Sequence, residues 1–193
     1  MKDSMILDEE FTLLEKIILV LLYVRGRTPI VGKVRLQKLI FLISQDLKEL
    51  RNELDFEAYK YGMYDQTIED ILEGLELDGF IVVDENNEVK LTSKGVEKAE
   101  MLLKSFTERE IKTIEEVKEL FEGLSEDEIL ALLYSKFPEF SKYSEKLREI
   151  NRKRKELAIS LYLKKKVSLE AASEIAGINI KEFIRLLKER NLL

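Results

Sequence analysis

The chain has 193 residues, a formal net charge of −6 and 45% hydrophobic residues, a composition typical of a folded, helix-rich protein. It contains neither cysteine nor histidine, which excludes disulfides, thiolate metal sites and any catalytic arrangement that needs an imidazole. No apolar run approaches the roughly 20 residues needed to span a bilayer, and the acidic N-terminus does not have the residue order of a signal peptide. We therefore expect a cytoplasmic protein. Abundant Lys and Glu with little Gln are typical of a thermophile.

The first part of the chain shows three helical patterns followed by a hairpin pattern. Apolar residues at helical spacing predict three helices, over residues 9–24, 34–50 and 65–77. Two β-branched segments, 80–83 and 88–92, flank turn-forming residues and predict a β-hairpin, and a further helix is predicted over 94–105. This is the element order of a winged helix, which we predict for residues 1–105. The alternative is an α+β domain with a single hairpin.

Two capping-box patterns predict the starts of the next two helices. They are Thr107-x-x-Glu110 and Ser125-x-x-Glu128. In such a box the Ser or Thr side chain accepts a hydrogen bond from the backbone three residues on, and the Glu carboxylate reaches back to the first residue. We assign residues 106–141 to a helical connector.

The sharpest pattern lies near the C-terminus, where two short helical segments meet at a glycine. A helix-turn-helix needs small residues where its helices cross, as at Ala172 and Ser173. It also needs a turn residue that tolerates positive φ, as at Gly177. We predict a helix-turn-helix in a domain at residues 142–193. Its outward face supplies the side chains that we expect to contact DNA bases in the major groove: Asn179, Lys181, Arg185 and Lys188.

A strongly basic helical pattern precedes this motif. Residues 142–166 include ten Lys and Arg and only three Glu. Most charge runs are solvated helix faces, and this remains the alternative interpretation. The position of the run beside the helix-turn-helix instead favours contact with DNA phosphates. The predicted phosphate-contact residues are Arg152, Lys153, Arg154, Lys155, Lys164, Lys165 and Lys166.

Residues 156–192 resemble a small prokaryotic antitoxin-like family that combines a short basic helix with a helix-turn-helix. The resemblance rests on the phrases VSL (167–169) and EIAG (174–177), on paired alanines, and on the EF and LL pairs that follow. The family usually has glycine before the lysine of its KVSL phrase, whereas this chain has Lys165. We expect this departure to alter only the loop. The resemblance implies an antitoxin-like regulator.

Two N-terminal segments, 34–45 and 56–82, resemble the Panacea-like winged-helix antitoxins and related archaeal proteins. The family phrase YGPYS opens the third helix, and it reads YGMYD here, at residues 61–65. Asp65 stands in the place of serine, and we expect it to cap the helix. Residues 132–140 resemble the tail of the same archaeal group. The resemblance implies a module that dimerises or binds a partner.

The predicted third helix carries several acidic residues and no Lys or Arg, so the phosphates of DNA would repel it. We therefore predict that this helix binds a protein partner, through Glu69, Asp70 and Glu73. The alternative is that the winged helix contacts DNA through a basic edge of its second helix: Arg25, Arg27, Lys33, Arg35 and Lys38.

The sequence thus predicts a mainly α protein with a small β-hairpin wing, acting as a DNA-binding transcriptional regulator. We expect it to bind double-stranded DNA as a homodimer, with no cofactor, no metal and no membrane association. The alternative is an antitoxin-like module whose acidic winged helix binds a protein. We do not expect an enzyme, because no glycine-rich phosphate loop is present. A nuclease with carboxylate-bound magnesium is the catalytic alternative.

Overall fold

The computed structural model describes residues 11–193, which are mainly helical with a small antiparallel sheet. They divide into two compact units. The first comprises residues up to Phe56 together with Tyr64–Leu120, and the second comprises Glu57–Met63 together with Phe121–Leu193. The predicted connector at 106–141 is therefore shared between the two units. Residues 9 and 10, where we predicted the first helix to begin, lie outside the described residues.

The elements follow the predicted order closely. In chain order they are α1 (Leu13–Arg27), β1 (Ile30–Val31), α2 (Lys33–Asp46), α3 (Lys48–Glu53), β2 (Glu57–Tyr59), β3 (Gly62–Tyr64), α4 (Gln66–Leu77), β4 (Ile81–Val83), β5 (Glu88–Leu91), α5 (Ser93–Leu102), α6 (Glu108–Phe121), α7 (Glu126–Lys136), α8 (Leu147–Leu163), α9 (Leu169–Ala176) and α10 (Ile180–Glu189). Short 3₁₀ turns follow α5 and α7.

Helix α1 is the centre of the first unit. Its residues 17–22 are all buried, and it packs against α4, α5 and β5. A helix that is apolar on every side is stable only when other elements surround it. The helical geometry ends at Val24. There the buried ammonium of Lys118 donates hydrogen bonds to the carbonyls of Leu22 and Val24, at 3.4 and 2.9 Å, which satisfies acceptors that the helix leaves open.

The predicted hairpin is confirmed, and a third strand joins it. Strand β5 lies between β1 and β4, with both pairs antiparallel, and Val89 of β5 is opposite both Ile30 and Val83. In the turn, the Asp84 carboxylate accepts hydrogen bonds from the backbone of Asn86 and Glu88. The strand β1 has two residues, too short for its pattern to be seen in the sequence.

The start of α4 is held by two side chains. Asp65 caps the helix, as expected, by accepting a hydrogen bond from the backbone of Thr67 at 2.8 Å. The buried amide of Gln37, on α2, both donates to the Asp65 carbonyl and accepts from its N–H, at 2.9 and 3.0 Å. The Gln37 amide thereby fixes the start of α4 against α2. Both predicted capping boxes are also confirmed, at Thr107 and Ser125.

The second unit is built around α8, which packs against α7 and α9. Its core includes Leu133, Ala158, Leu161 and Phe183, all fully buried. The two-stranded β2–β3 sheet belongs largely to this unit. The backbone N–H of Glu145 donates to the carbonyl of Lys60, in the turn between β2 and β3, at 3.0 Å. This unit carries most of the residues predicted to contact DNA.

Two glycines in the first unit offer a matched test of this packing. A Cβ at Gly95 in α5 would lie 1.9 Å from the backbone oxygen of Phe80, whereas a Cβ at Gly74 in α4 would have no described atom within 4 Å beyond its own helix and chain neighbours. We expect Gly95→Ala to lower the free energy of unfolding by about 1–3 kcal/mol or more, because backbone must move. Gly74→Ala should raise it by about 0.5–1 kcal/mol, because alanine favours the helix. Urea unfolding followed by circular dichroism measures both, and equal effects would contradict the packing.

Candidate nucleic-acid interface

The segment predicted to form the motif consists of α9, a short turn and α10. Ser168 caps α9 by accepting a hydrogen bond from Ala171 N–H at 3.2 Å, and Asn179 caps α10 through Glu182 N–H at 3.0 Å. Gly177 in the turn has a φ of 68°, the left-handed conformation that the turn prediction requires. The predicted small residues, Ala172 and Ser173, are buried.

Helix α10 has one buried and one cationic face. Phe183 and Leu187 are fully buried, while Lys181, Arg185 and Lys188 are exposed. The three cations follow one another at spacings of four and three residues, so they share one face of the helix. Within residues 11–193 none of the three side chains has a hydrogen bond or an ion pair. Three of the four predicted base-contact side chains therefore remain available for a ligand.

Asn179, the fourth predicted base-contact residue, has a structural role as well. It is exposed, but its side-chain oxygen accepts the capping hydrogen bond at the start of α10. The amide nitrogen remains as a possible donor, whereas the bidentate contact that Asn makes with adenine needs both the oxygen and the nitrogen. The cap therefore competes with the adenine contact that the sequence suggested.

Two contacts with α8 hold α10 in place. The Phe183 ring meets the edge of the Tyr162 ring, with centroids 6.2 Å apart. Just beyond the end of α10, the guanidinium of Arg190 makes a two-bonded pair with the Glu156 carboxylate, with one of the bonds at 2.6 Å. These hydrogen bonds lower the pKa of Glu156. Sequence analysis missed this pair because its partners are 34 positions apart.

Arg154, predicted to contact phosphate, instead holds the end of α9. Its guanidinium donates to the carbonyls of Ile175 and Glu174, at 2.8 and 3.2 Å. It also lies directly against Gly177, where a Cβ would come within 2.4 Å of the guanidinium. Glycine at position 177 thus suits the positive φ, and any larger side chain there would displace the Arg154 guanidinium.

Lys153 and Lys164 are also engaged within the second unit. Lys153 pairs with Glu149 on its own helix and with Asp127 on α7, the latter at 3.0 Å. Lys164 reaches the buried carboxylate of Glu128 at 2.8 Å and the Gly123 carbonyl at 2.8 Å. Two further predicted phosphate-contact residues thus stabilise the packing of α7 on α8.

Glu128 is the most strongly perturbed buried group of this network. Burial raises the pKa of its carboxyl, but hydrogen bonds from Lys164, Ser160 and Ser125 outweigh burial and lower the pKa to about 2. The Ser160 hydroxyl lies 2.6 Å from the carboxylate and the Ser125 N–H also 2.6 Å. The same carboxylate therefore completes a capping box and binds α8 to α7.

The other predicted phosphate-contact residues are differently placed. Arg152, Lys155 and Lys165 are exposed, and within residues 11–193 they have no hydrogen-bonded or ionic side-chain partner. Lys166 is half-buried. The seven predicted residues thus include three cations with internal structural roles and three that are available at the surface.

The predicted partner-binding residues lie on α4 of the first unit. Asp70 and Glu73 are exposed and Glu69 is half-buried. Asp70 accepts a hydrogen bond from Gln66 at 2.8 Å. Leu77, at the end of the same helix, is 88% exposed. The helix therefore presents carboxylates and one large apolar side chain to solvent.

The alternative basic edge of the first unit is largely occupied. The interpretation was wrong for Lys38, which is completely buried with its ammonium 3.2 Å from the Val34 carbonyl. Arg25 pairs with Glu119 at 3.1 Å, and Arg27 lies 3.8 Å from Glu100 and over an aromatic ring. Internal partners thus hold these three cations.

Charge is divided unequally between the two units. The first contains 16 Lys and Arg against 25 Asp and Glu, a formal charge of −9, and the second contains 16 Lys and Arg against 13 Asp and Glu, a formal charge of +3.

Within residues 11–193 no group of acidic side chains is arranged to hold a metal ion. Nor does any helix in that range have the length and apolar character to cross a membrane.

The C-terminal part of the chain is similar to a known protein family. Residues 137–192 match the model of an uncharacterised protein family, UPF0175. The matched range covers α8, α9 and α10, the helices that carry the cationic face and its supports, and less than a third of the chain. No curated protein matches the chain. The resemblance stated for the N-terminal segments 34–45 and 56–82 stays a prediction.

The buried carboxylate predicts a defined pH dependence of stability. We expect Glu128→Gln to lower the free energy of unfolding at pH 7 by about 1.5–3 kcal/mol, the usual range for charged hydrogen bonds. Since the folded pKa of Glu128 is about 2 against a usual 4.5, its contribution is complete above pH 4.5 and is lost as the pH falls towards 2. The difference between wild type and variant should shrink over that range. Urea unfolding at several pH values measures it.

Glu139→Gln is the control, because Glu139 is an exposed carboxylate of the same unit with no side-chain partner in the described residues. It should leave stability nearly unchanged at every pH. A constant difference between wild type and Glu128→Gln from pH 7 to pH 2 would contradict the assigned role.

Proposed function

We propose that this chain is a DNA-binding transcriptional regulator, in which α9 and α10 form a helix-turn-helix and α10 enters the major groove. One observation carries the proposal. Lys181, Arg185 and Lys188 line the exposed face of a helix that follows a tight turn, and none of them has an internal partner in the described residues. Cations at such a position suit DNA, because its phosphates are negatively charged and its major groove exposes the edges of the bases.

The supports of α10 suit this role. Base recognition requires that a side chain be held in register with the groove, so the helix that carries it must be rigid. Buried Phe183 anchors α10 at its first half, and the Arg190–Glu156 pair anchors its end. Arg185 lies between these anchors, and its planar guanidinium matches the two acceptors of guanine.

We assign phosphate contact to basic residues whose side chains have no partner in the described part of the chain. Arg152 and Lys155 are one turn apart on α8, so they share a face, and both are exposed. Lys153, Arg154 and Lys164 instead stabilise the unit. The charge of +3 on the second unit allows it to approach DNA even though the whole chain carries −6.

In this proposal the first unit is a winged helix that supports assembly. Its three-helix core, formed by α1, α2 and α4, is followed by the β4–β5 hairpin in the order of that fold. Because α4 is acidic, the unit is suited to binding a basic partner and not to docking on DNA. A role in dimerisation is what the resemblance of segments 34–45 and 56–82 implies. A homodimer would carry two copies of α10 and would bind a palindromic site.

Arg185→Ala tests the proposed base contact. We expect wild type to bind a fragment of its own upstream region more tightly than a scrambled sequence, and the variant to lose about 1–3 kcal/mol of that discrimination. Binding to the scrambled fragment should change much less. Fluorescence anisotropy with both fragments, at several salt concentrations, measures the two affinities.

Lys142→Ala serves as the control, since Lys142 is an exposed cation of the same unit that lies outside α10 and has no internal partner in the described residues. It should leave the ratio of the two affinities unchanged. If Arg185→Ala and Lys142→Ala weaken binding to both fragments equally, Arg185 does not contact a base. If wild type binds neither fragment at low salt, the regulator proposal fails.

A second candidate function is protein binding through α4, and the charge of −9 on the first unit favours it. The partner would be basic, with an apolar contact for the exposed Leu77. Immobilised wild type should then retain a basic protein from a lysate of the native host in a salt-sensitive manner. The variant Glu69→Gln, Asp70→Asn, Glu73→Gln should retain it much less. Equal retention by both would exclude α4 as the binding surface.

A further inference from the structure

Helix α8 ends in a turn that ordinarily requires glycine. The backbone N–H of Lys165 donates to the Tyr162 carbonyl at 2.9 Å, and that of Lys166 donates to the Leu161 carbonyl at 3.0 Å. These two bonds place Lys165 in the left-handed region, with a φ of 57°. An L-residue is strained there because its Cβ approaches the following carbonyl oxygen.

Three other helices end with the same pair of hydrogen bonds, which allows a comparison within the chain. The left-handed residue is Gly79 after α4, Gly177 after α9 and Asn191 after α10. Glycine and asparagine are the residues that adopt this conformation most readily. A lysine is therefore the exception at this kind of helix end.

In the part of the chain that the structure describes, no hydrogen bond or ion pair of the Lys165 side chain offsets this strain. The side chain is exposed. Its neighbour Lys164, by contrast, binds the buried Glu128 carboxylate. Strained residues without an internal reason are typical of positions where a ligand makes use of the side chain.

We propose that Lys165 is a phosphate-contact residue that is kept at the expense of stability. The inference rests on the proposed function and names the ligand group, a phosphodiester of the DNA backbone. Lys165 lies three positions before Ser168, the cap of α9. A lysine there adds an unpaired positive charge beside the two helices that carry the proposed recognition surface.

Lys165→Gly should move stability and binding in opposite directions. Glycine removes the strain, so the urea midpoint should rise, although the greater freedom of glycine in the unfolded chain reduces the gain. DNA affinity should fall on the order of tenfold at 0.1 M salt, and the slope of log K against log salt should become shallower by about 0.9, the value for one lost phosphate contact. A loss of DNA affinity together with a higher urea midpoint cannot be explained by destabilisation, because a destabilised variant would unfold at a lower urea concentration.

Two further variants in the full-length chain separate the causes. Lys165→Asn tolerates the left-handed conformation but removes the charge, so it should bind like Lys165→Gly. Lys165→Arg keeps both the charge and the strain and should bind like wild type. If wild type binds DNA and Lys165→Gly binds with the same affinity and salt slope, the contact is refuted while the regulator proposal stands. If Lys165→Gly is not more stable, the strain argument is refuted. If wild type shows no salt-dependent DNA binding, both proposals fail.

Discussion

The contact between Arg154 and Gly177 determines how the C-terminal helices are arranged. The guanidinium satisfies two carbonyls at the end of α9, where a helix leaves acceptors without partners, and fills the space beside a residue with no side chain. It therefore joins α8 to the turn from which α10 begins. The direction of α10 follows from this turn, and the Arg190–Glu156 pair secures its far end. Arg154 and Arg190 thus fix which face of α10 is exposed, and neither of them has to contact DNA in order to do so.

This arrangement explains why a run of basic residues does not act as one surface. Lys153, Arg154 and Lys155 are consecutive, yet Lys153 pairs with carboxylates and Arg154 holds the end of α9. Lys155 is exposed, and its side chain has no partner among residues 11–193. Successive helical residues point in directions about 100° apart, so neighbours in sequence face different surroundings. The composition of the run could be recognised from the sequence. The different roles of its residues could not be recognised from the sequence, because these roles depend on which elements pack against each face of the helix.

Local signals predicted the fold well. The capping boxes at Thr107 and Ser125, the hairpin before α5 and the glycine turn at Gly177 all act over a few residues, and all are confirmed. The features that sequence analysis did not predict have a different cause. The Gln37–Asp65 bonds, the strand β1 beside β5 and the Arg190–Glu156 pair join residues far apart in the chain. No periodicity records such pairings, and the buried Lys38 was likewise misjudged from its charge alone.

The separation of charge between the units bears on both candidate functions. A chain with a net charge of −6 would be repelled by DNA if its charges were mixed evenly, because repulsion by closely spaced phosphates acts over about a Debye length, roughly 8 Å at physiological salt. Concentrating a charge of −9 in one unit leaves the other at +3. Internal pairing then removes Lys153 and Lys164 from the positive surface. In the proposed regulator, specificity would therefore depend on a few side chains that have no partner in the described residues, and not on bulk charge. Weak overall attraction with a rigid cationic helix favours discrimination between sequences over tight binding to all of them.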